Sequence, residues 1–296
     1  MQKNGQERNW LFMLRLRLPG GRMTPSQWLA AETLSDQFGN GSLKLTTRQA
    51  IQIHGVVKQD LKQTMKDIHH AAITTIAASG DATRNVMVSL HPEDSGIHET
   101  VFNQARELSR KLEPQTHAYH EIWLDAKRIY SGAEEEPLYG PGYLPRKFKI
   151  AVIGTQSDRA ASQLHDIGLH VVKNAAGEIG FEVLVGGGLG RTPVIGKVIK
   201  SFLPDVHLLS YLDSILRVYN QHGRRDNKYK ARIKILVESM GVAEFTKQVD
   251  ADWHAHNKDG KLTLTPDQIA HAKTFFPSPD YVSFDAASLA AYQTQL

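Results

Sequence analysis

Strict alternation of apolar and basic side chains marks residues 12–18, FMLRLRL. The even-numbered positions are all apolar, and the odd-numbered positions include Arg15 and Arg17. Because successive side chains of a strand point to opposite faces, this stretch predicts a half-buried β-strand with a basic outer face. The following Thr24-Pro25-Ser26-Gln27 predicts a helix start, with Thr24 as N-cap and Gln27 completing a capping box. Trp28, Leu29 and Leu34 are expected to form its buried stripe.

The alternation returns in residues 42–54, SLKLTTRQAIQIH, which predict a second strand. The polar face of this predicted strand contains Lys44, Arg48, Gln52 and His54. Strands and helices alternate further along the chain, with a helix at 59–76, a strand from Arg84, a helix at 97–112, strands at 143–153 and 180–190, and mostly helices to 275. Strands and helices in this order predict an α+β fold.

The composition is that of a folded protein, and the length predicts two domains. The 296 residues are 41% hydrophobic and 22% charged, which is enough apolar material for a core. A net charge of +4 is too small to indicate nucleic acid. Neither a membrane span nor a secretory signal is predicted, because no apolar run approaches about 18 residues and the first residues are polar. We therefore expect a cytoplasmic protein.

The chain contains no cysteine. It therefore cannot by itself supply a disulfide, a thiolate nucleophile, or the cysteine ligands of a zinc ion or an iron–sulfur cluster. Its 14 histidines show no metal-binding spacing, and no metal site is predicted from them.

Basic side chains recur on the polar faces of the predicted strands. The residues at such positions are Arg15, Arg17, Lys44, Arg48, Arg84, Arg146, Lys147 and Lys149. One interpretation is an ordinary solvent-exposed face. The alternative is a sheet face that binds a small polyanion or a ligand with several carboxylates, since Arg offers bidentate contacts and Lys a point charge.

Two further motifs leave alternatives open. The glycine-rich residues 185–190, VGGGLG, fit neither the dinucleotide fingerprint nor the Walker pattern, and indicate close backbone approach or a turn. The basic run 224–234 favours a solvated helix face over a site for an acidic partner or nucleic acid.

Five spaced motifs together resemble the N-terminal half of the sulfite and nitrite reductase hemoprotein family, most of all its assimilatory sulfite reductases. They are RLRLPGG at 15–21, LTTRQAIQIHG at 45–55, TRNV at 83–86, YLPRKFK at 143–149 and LVGGGLG at 184–190. The resemblance covers about residues 12–240. It implies a ferredoxin-like half-domain at 1–77, followed by a larger mixed α/β domain at 78–296 that covers siroheme.

The resemblance also implies chemistry for the basic residues. Members of the family carry siroheme, a tetrapyrrole with eight carboxylates, bridged through a cysteine sulfur to a [4Fe–4S] cluster, and reduce sulfite with six electrons. The residues matching the four basic positions around the substrate are Arg15, Arg84, Lys147 and Lys149. The residues matching siroheme-contacting positions are Lys44, Arg48, Gln52, His54 and Arg146. Lys44 stands where the family often has Arg, and Gly80 where some members have Asn.

The family's cluster cysteines lie in a C-terminal half that this sequence does not contain. The resemblance therefore implies three partners: sulfite or nitrite, a cysteine-bearing half, and an electron donor that is a flavoprotein subunit or a ferredoxin. The sequence predicts a siroheme- and sulfite-binding half of a sulfite reductase, active in sulfate assimilation and cysteine biosynthesis. A nitrite reductase half and a non-catalytic siroheme- or anion-binding module remain the alternatives.

Overall fold

The alternating stretch near the start of the chain forms the first strand of a three-stranded antiparallel sheet in a computed structural model. The structure describes residues 10–89, 95–115, 121–124, 127–131, 136–155, 157–257, 260, 262, 265 and 267. The strands are β1 Leu11–Leu16, β2 Leu43–Leu45, β3 Ile51–Val57, β4 Met87–Val88, β5 Glu121–Leu124, β6 Lys127–Ser131, β7 Ile150–Ile153, β8 Ile167–Lys173, β9 Ile179–Val185 and β10 Lys197–Pro204. The helices are α1 Pro25–Phe38, α2 Leu61–His70, α3 Ser95–Lys111, α4 Leu208–His222, α5 Ile233–Met240 and α6 Val242–His256.

The first sheet has the order β1-β3-β2 and packs against α1 and α2. Its core contains Leu16, Ile51 and Ile53 from the strands, with Leu34 of α1 and Ile68 of α2. All five side chains are at most 5% exposed. The alternation in β1 thus has the predicted effect, because it places one row of side chains in this core.

Helix α1 begins as predicted, although its buried stripe differs. The backbone N–H of Gln27 donates to Thr24 Oγ1, and the backbone N–H of Thr24 donates to Gln27 Oε1. These two hydrogen bonds complete the capping box. The prediction that Trp28 and Leu29 are buried is wrong, since they are 42% and 60% exposed. The prediction for Leu34 is confirmed, and Ala31 joins it on the buried face, because both lie on the side of the helix that meets the sheet.

The predicted single strand over 42–54 is two strands joined by a tight turn. Residues 46–50 connect β2 to β3, and the Thr46 N–H donates to the Ala50 carbonyl oxygen at 2.8 Å. Gln49 adopts a φ of 52° within this turn. The turn removes Arg48 from the strand face on which the sequence placed it.

The second sheet has the order β10-β9-β8-β7-β4. Strands β4, β7 and β8 are parallel, and β9 and β10 continue the sheet antiparallel. Sequence patterning missed β8 and β10, because the first is a nearly continuous apolar run and the second breaks its register twice. The strand predicted at 143–153 is shorter, and only Ile150–Ile153 forms β7.

These two sheets and the two-stranded antiparallel sheet of β5 and β6 belong to one compact unit that spans residues 1–264. The sheets and helices confirm the predicted α+β class. The predicted boundary between a half-domain at 1–77 and a second domain at 78–296 stays a prediction. Within the part of the chain that the structure describes, no helix is both long and apolar enough to cross a membrane.

The glycine-rich exit from β9 packs against its own chain. A Cβ on Gly187 would lie 2.3 Å from the Gln163 carbonyl oxygen and 2.5 Å from that of His165. A Cβ on Gly188 would lie 3.1 Å from Arg232 Nη2. The structure therefore supports close backbone approach as the reason for the motif.

We expect Gly187→Ala to lower the free energy of unfolding by about 2 kcal/mol, because two backbone carbonyls must move away from the new methyl group. The measurement is urea denaturation followed by far-ultraviolet circular dichroism. Gly196→Ala is the matched control, since its Cβ would meet nothing closer than 3.4 Å. Equal stability losses in the two variants would contradict this account of the loop.

Candidate functional site

Asn85 ties the two sheets together. Its side-chain amide donates to the carbonyl oxygens of Leu18 at 2.7 Å, Arg48 at 2.8 Å and Gln49 at 3.1 Å. Gln49 adds a reciprocal pair, donating to the Val88 carbonyl at 2.7 Å and accepting from the Val88 N–H at 3.0 Å. The end of β1, the β2–β3 turn and β4 are thereby held in one arrangement.

Arg48 extends from this turn toward the second sheet. Its Nη2 donates to the carbonyl oxygens of Asn85 and Ile150, the latter at 3.3 Å. Its Nε is buried without a hydrogen-bond partner among the described residues. Burial lowers the pKa of Arg48 to about 10, with Arg84 adding to the effect and Asp166 opposing it. The guanidinium therefore has an unused buried donor.

The segment before β7 presents two lysines on either side of a buried phenylalanine. Phe148 is fully buried and exchanges backbone hydrogen bonds with the neighbouring chain, donating to Ala82 and accepting from Arg84. Because side chains alternate along extended backbone, Lys147 and Lys149 face away from Phe148. Neither ammonium group has a hydrogen bond or an ion pair with any residue in the described ranges.

Seven cations lie close enough to perturb one another. We call them the cationic cluster: Arg15, Arg48, Arg84, Arg146, Lys147, Lys149 and Arg232. Burial and then the charge of Arg15 lower the pKa of Arg84. Burial, followed by the charges of Arg48 and Arg232, lowers the pKa of Lys149 to about 8. Burial and the charge of Arg84 lower that of Lys147.

The outer face of the first sheet carries a polar row beside the cluster. Gln52 lies directly opposite Arg15 on one side and Lys44 on the other. With its oxygen toward Arg15, the Gln52 amide accepts from Nε at 2.9 Å and Nη2 at 2.7 Å, and its nitrogen donates to His54 Nε2 at 3.0 Å. Lys44 is exposed at the edge of this row. Gln52 therefore orients both Arg15 and His54.

The structure thus brings together most of the predicted site residues. Arg15, Arg84, Lys147 and Lys149 lie in the cationic cluster with Arg48 and Arg146, whereas Lys44 is at its margin. Arg146 forms an ion pair with Asp81 at 3.4 Å. The individual roles assigned to these residues stay predictions.

Arg17, which the alternation placed beside Arg15, is a structural residue. Its side chain is buried, and it donates to the Ser109 hydroxyl from Nε at 3.0 Å and from Nη2 at 2.8 Å. Nη1 also donates to the Ile76 carbonyl at 3.2 Å. These contacts fix the end of β1 against α3 and leave Arg17 outside the cationic cluster.

Sequence reasoning missed Asp166 and Arg232. Asp166 precedes β8 and is completely buried, and its Oδ1 accepts from Arg232 Nε at 2.9 Å and Nη2 at 2.6 Å. Arg232 lies at the end of the basic run 224–234, which is mainly an exposed loop and becomes helical only at Ile233. An Arg at a loop–helix junction was the only available signal, and nothing in the sequence marked Asp166 as its partner.

His165 is a second residue that the sequence gave no reason to select. Burial, together with the charges of Arg48 and Lys149, lowers its pKa to about 4. Its Nδ1 lies 2.9 Å from the Ala161 carbonyl oxygen, so the neutral imidazole donates from that nitrogen. His165 therefore adds no further positive charge to the cluster at neutral pH.

The donor set fits an anionic ligand with several oxygens. Within the described ranges the site contains two lysines without partners, a buried unused donor on Arg48 and several guanidinium groups. These groups outnumber the carboxylates of Asp81 and Asp166. Such groups form charge-assisted hydrogen bonds with carboxylates and oxyanions. Among the described residues, no group of three or more His, Asp or Glu side chains is placed to hold a metal ion.

Two protein-family models match the chain. The model described as the nitrite/sulfite reductase ferredoxin-like half domain matches residues 4–71. The model described as the nitrite and sulphite reductase 4Fe-4S domain matches residues 104–257, which is more than half of the chain.

Curated relatives share about two residues in five with this chain. The hemoprotein beta-component of NADPH sulfite reductase from Staphylococcus epidermidis is 40% identical over 257 residues, covering 84% of this chain and 45% of that protein. The proteins of the same name from Paenibacillus sp. and Bacillus subtilis are 41% and 40% identical, with the same coverage. The chain therefore spans less than half the length of these relatives.

Solved structures share the fold. The Mycobacterium tuberculosis NirA protein superposes with a TM-score of 0.67 at 22% identity, covering 83% of this chain and 40% of that one. Dissimilatory sulfite reductase I gives a TM-score of 0.59 at 11% identity, covering 96% and 78%. At these identities the likeness concerns the fold alone.

We expect Lys149→Met to stabilise the chain at pH 7. Lysine titrates near 10.5 when unfolded and at about 8 here, so below pH 8 it is charged in both states and its burial penalises the folded one. The gain is about 1 kcal/mol after allowance for partial exposure, and it disappears as the pH rises from 8 to 10.5. Denaturant titrations between pH 7 and 10.5 measure it.

Lys173→Met is the control for this prediction, because Lys173 is exposed at the end of β8. It should leave stability unchanged at every pH. A Lys149→Met variant that is less stable than the parent at pH 7 would show that the ammonium group is not electrostatically strained.

Proposed function

Because this chain belongs to the nitrite and sulfite reductase family, we propose that it is the siroheme- and sulfite-binding half of a sulfite reductase. One observation carries the proposal: Lys147 and Lys149 have no hydrogen-bond or ion-pair partner among the described residues and lie among mutually repelling cations. Such an arrangement is unfavourable alone and becomes favourable when an anion binds. Sulfite reduction consumes an anion whose oxygens must be held and protonated.

The cluster also suits siroheme, whose carboxylates need several basic partners. We assign this contact to Lys44, Arg48, Gln52, His54 and Arg146, and the unused Nε donor of Arg48 is the observation that supports it most directly. When bound, siroheme supplies the iron at which electrons reach the substrate. The protein residues hold its carboxylates and fix its orientation.

Arg15, Arg84, Lys147 and Lys149 then act on the substrate. The arginines hold sulfite oxygens by charge-assisted hydrogen bonds. Lys149 has a pKa of about 8, so it can donate a proton near neutral pH to an oxygen that leaves as water. The same four residues stabilise negative charge that develops during reduction.

The chain does not fit a [4Fe–4S] cluster, since it offers no cysteine ligand. The cluster ligands are therefore assigned to a cysteine-bearing half that corresponds to the remainder of the longer relatives. That half and an electron donor, a flavoprotein subunit or a ferredoxin, are the proposed protein partners. The lack of cysteine also favours a second candidate, a siroheme- or anion-binding module without turnover of its own.

We expect Lys147→Met and Lys149→Met each to reduce sulfite turnover about a hundredfold while leaving siroheme content nearly unchanged. The measurement uses a chimera in which this chain replaces the matching portion of the Bacillus subtilis hemoprotein beta-component. Turnover is followed with a chemical reductant, and siroheme by its visible absorption.

Lys173→Met in the same chimera is the control and should retain full turnover. Unchanged turnover in both lysine variants would overturn the assignment of substrate residues. Assays with nitrite separate the two substrates, because a higher kcat/KM for nitrite would move the proposal to nitrite reduction. A chimera that binds siroheme without turning over either anion would favour the binding module.

A further inference from the structure

Asp166 is a completely buried carboxylate at the edge of a positively charged site. Its Oδ1 accepts two hydrogen bonds from Arg232, and its backbone carbonyl accepts from the Gly186 N–H at 3.0 Å. Its Oδ2 is buried without a hydrogen-bond partner among the described residues. Burial raises the pKa of Asp166, whereas the charge and hydrogen bonds of Arg232 and the charges of Lys149 and Arg48 oppose that shift and favour the carboxylate. The negative charge of Asp166 is therefore compensated partly by contact and partly through space.

Charged and titratable groups from several elements surround this carboxylate. The groups that interact electrostatically with Asp166 are Arg48 of the β2–β3 turn, Lys147 and Lys149 before β7, Tyr219 of α4, and Arg232 and Lys234 around the start of α5. Its neighbour His165 has a pKa of about 4. Burial raises the pKa of Tyr219 to well above neutrality. Because burial and neighbouring cations lower the pKa of Lys149 to about 8, Lys149 loses its positive charge between pH 7 and 9.5.

The glycine-rich loop after β9 packs against the Arg232 guanidinium that pairs with Asp166. Gly188 leaves room for the Arg232 guanidinium, since a Cβ there would lie 3.1 Å from Nη2. Lys234 of α5 donates to the carbonyl oxygens of Leu189 and Thr192 in the following turn. Arg232 is consequently held between the loop and Asp166, with its head group within the cationic cluster.

We propose that Asp166 is a positioning residue of the cationic cluster. Its carboxylate orients Arg232 and supplies the buried negative charge that lets neighbouring cations stand together before an anion binds. The value of this arrangement for substrate binding rests on the proposed function. The electrostatic role itself is a property of the chain without any ligand, so it can be tested separately.

The test is a double-mutant cycle of Asp166→Asn and Lys149→Met on the ligand-free chain, measured by denaturant unfolding at pH 7 and pH 9.5. Asp166→Asn should increase the unfolding equilibrium constant strongly at pH 7. That increase should be roughly fivefold smaller at pH 9.5, where Lys149 has lost its charge. In the Lys149→Met background the effect of Asp166→Asn should be smaller at pH 7 and should change less between pH 7 and pH 9.5.

A penalty for Asp166→Asn that is equal at both pH values, with or without Lys149, would overturn the proposal and leave only a structural hydrogen bond. Asp81→Asn is the matched control, because Asp81 pairs with Arg146 in the same cluster but is partly exposed. Its effect should be small and independent of pH.

If the Asp166→Asn variant does not fold, the double variant Asp166→Asn, Lys149→Met tests the electrostatic role instead. Recovery of folding on removal of Lys149 supports the electrostatic role, and failure to recover contradicts it. Loss of sulfite turnover in the chimera plays no part in this result, so the two proposals fail independently.

Discussion

The three hydrogen bonds of the Asn85 amide are the constraint on which the site depends. They fasten the end of β1 and the β2–β3 turn to the segment that leads into β4, so both sheets contribute to one surface. The same turn carries Arg48, whose Nη2 reaches the Ile150 carbonyl oxygen of the second sheet. Together with the Gln49–Val88 pair, the Asn85 amide thereby joins the two sheets into one scaffold for cations.

Concentrating positive charge on this scaffold has a free-energy cost, and the structure shows how the cost is limited. Gln52 orients Arg15, Asp81 pairs with Arg146, and buried Asp166 offsets Arg232 and its neighbours. Lys147 and Lys149, which have no partner within the described part of the chain, are two of the residues proposed to bind the substrate. Burial and the neighbouring cations lower the pKa of Lys149 to about 8, which is the measurable sign of this electrostatic strain. Electrostatic strain of this kind is typical of functional sites.

Local patterns in the sequence predicted the first sheet well and the second sheet poorly. Alternation located β1, and the Thr24–Gln27 capping box located α1, because both depend on neighbouring residues. The turn at 46–50 was missed, since its geometry depends on Asn85, more than thirty positions later. The partnership of Asp166 and Arg232 joins residues 66 positions apart, which no local pattern can reveal. The basic residues themselves were recognisable because the motifs that carry them are distinctive.

The most direct test of the central claim is the visible absorption spectrum, with iron content, of the chain produced together with siroheme synthesis. It should be recorded for the chain alone and for the chimera that carries the cysteine-bearing portion of the Bacillus subtilis relative. The account predicts siroheme absorption from the chimera and none from the chain alone, because the chain supplies the cationic face without a thiolate ligand. Siroheme absorption from the chain alone, or none from the chimera, would contradict it.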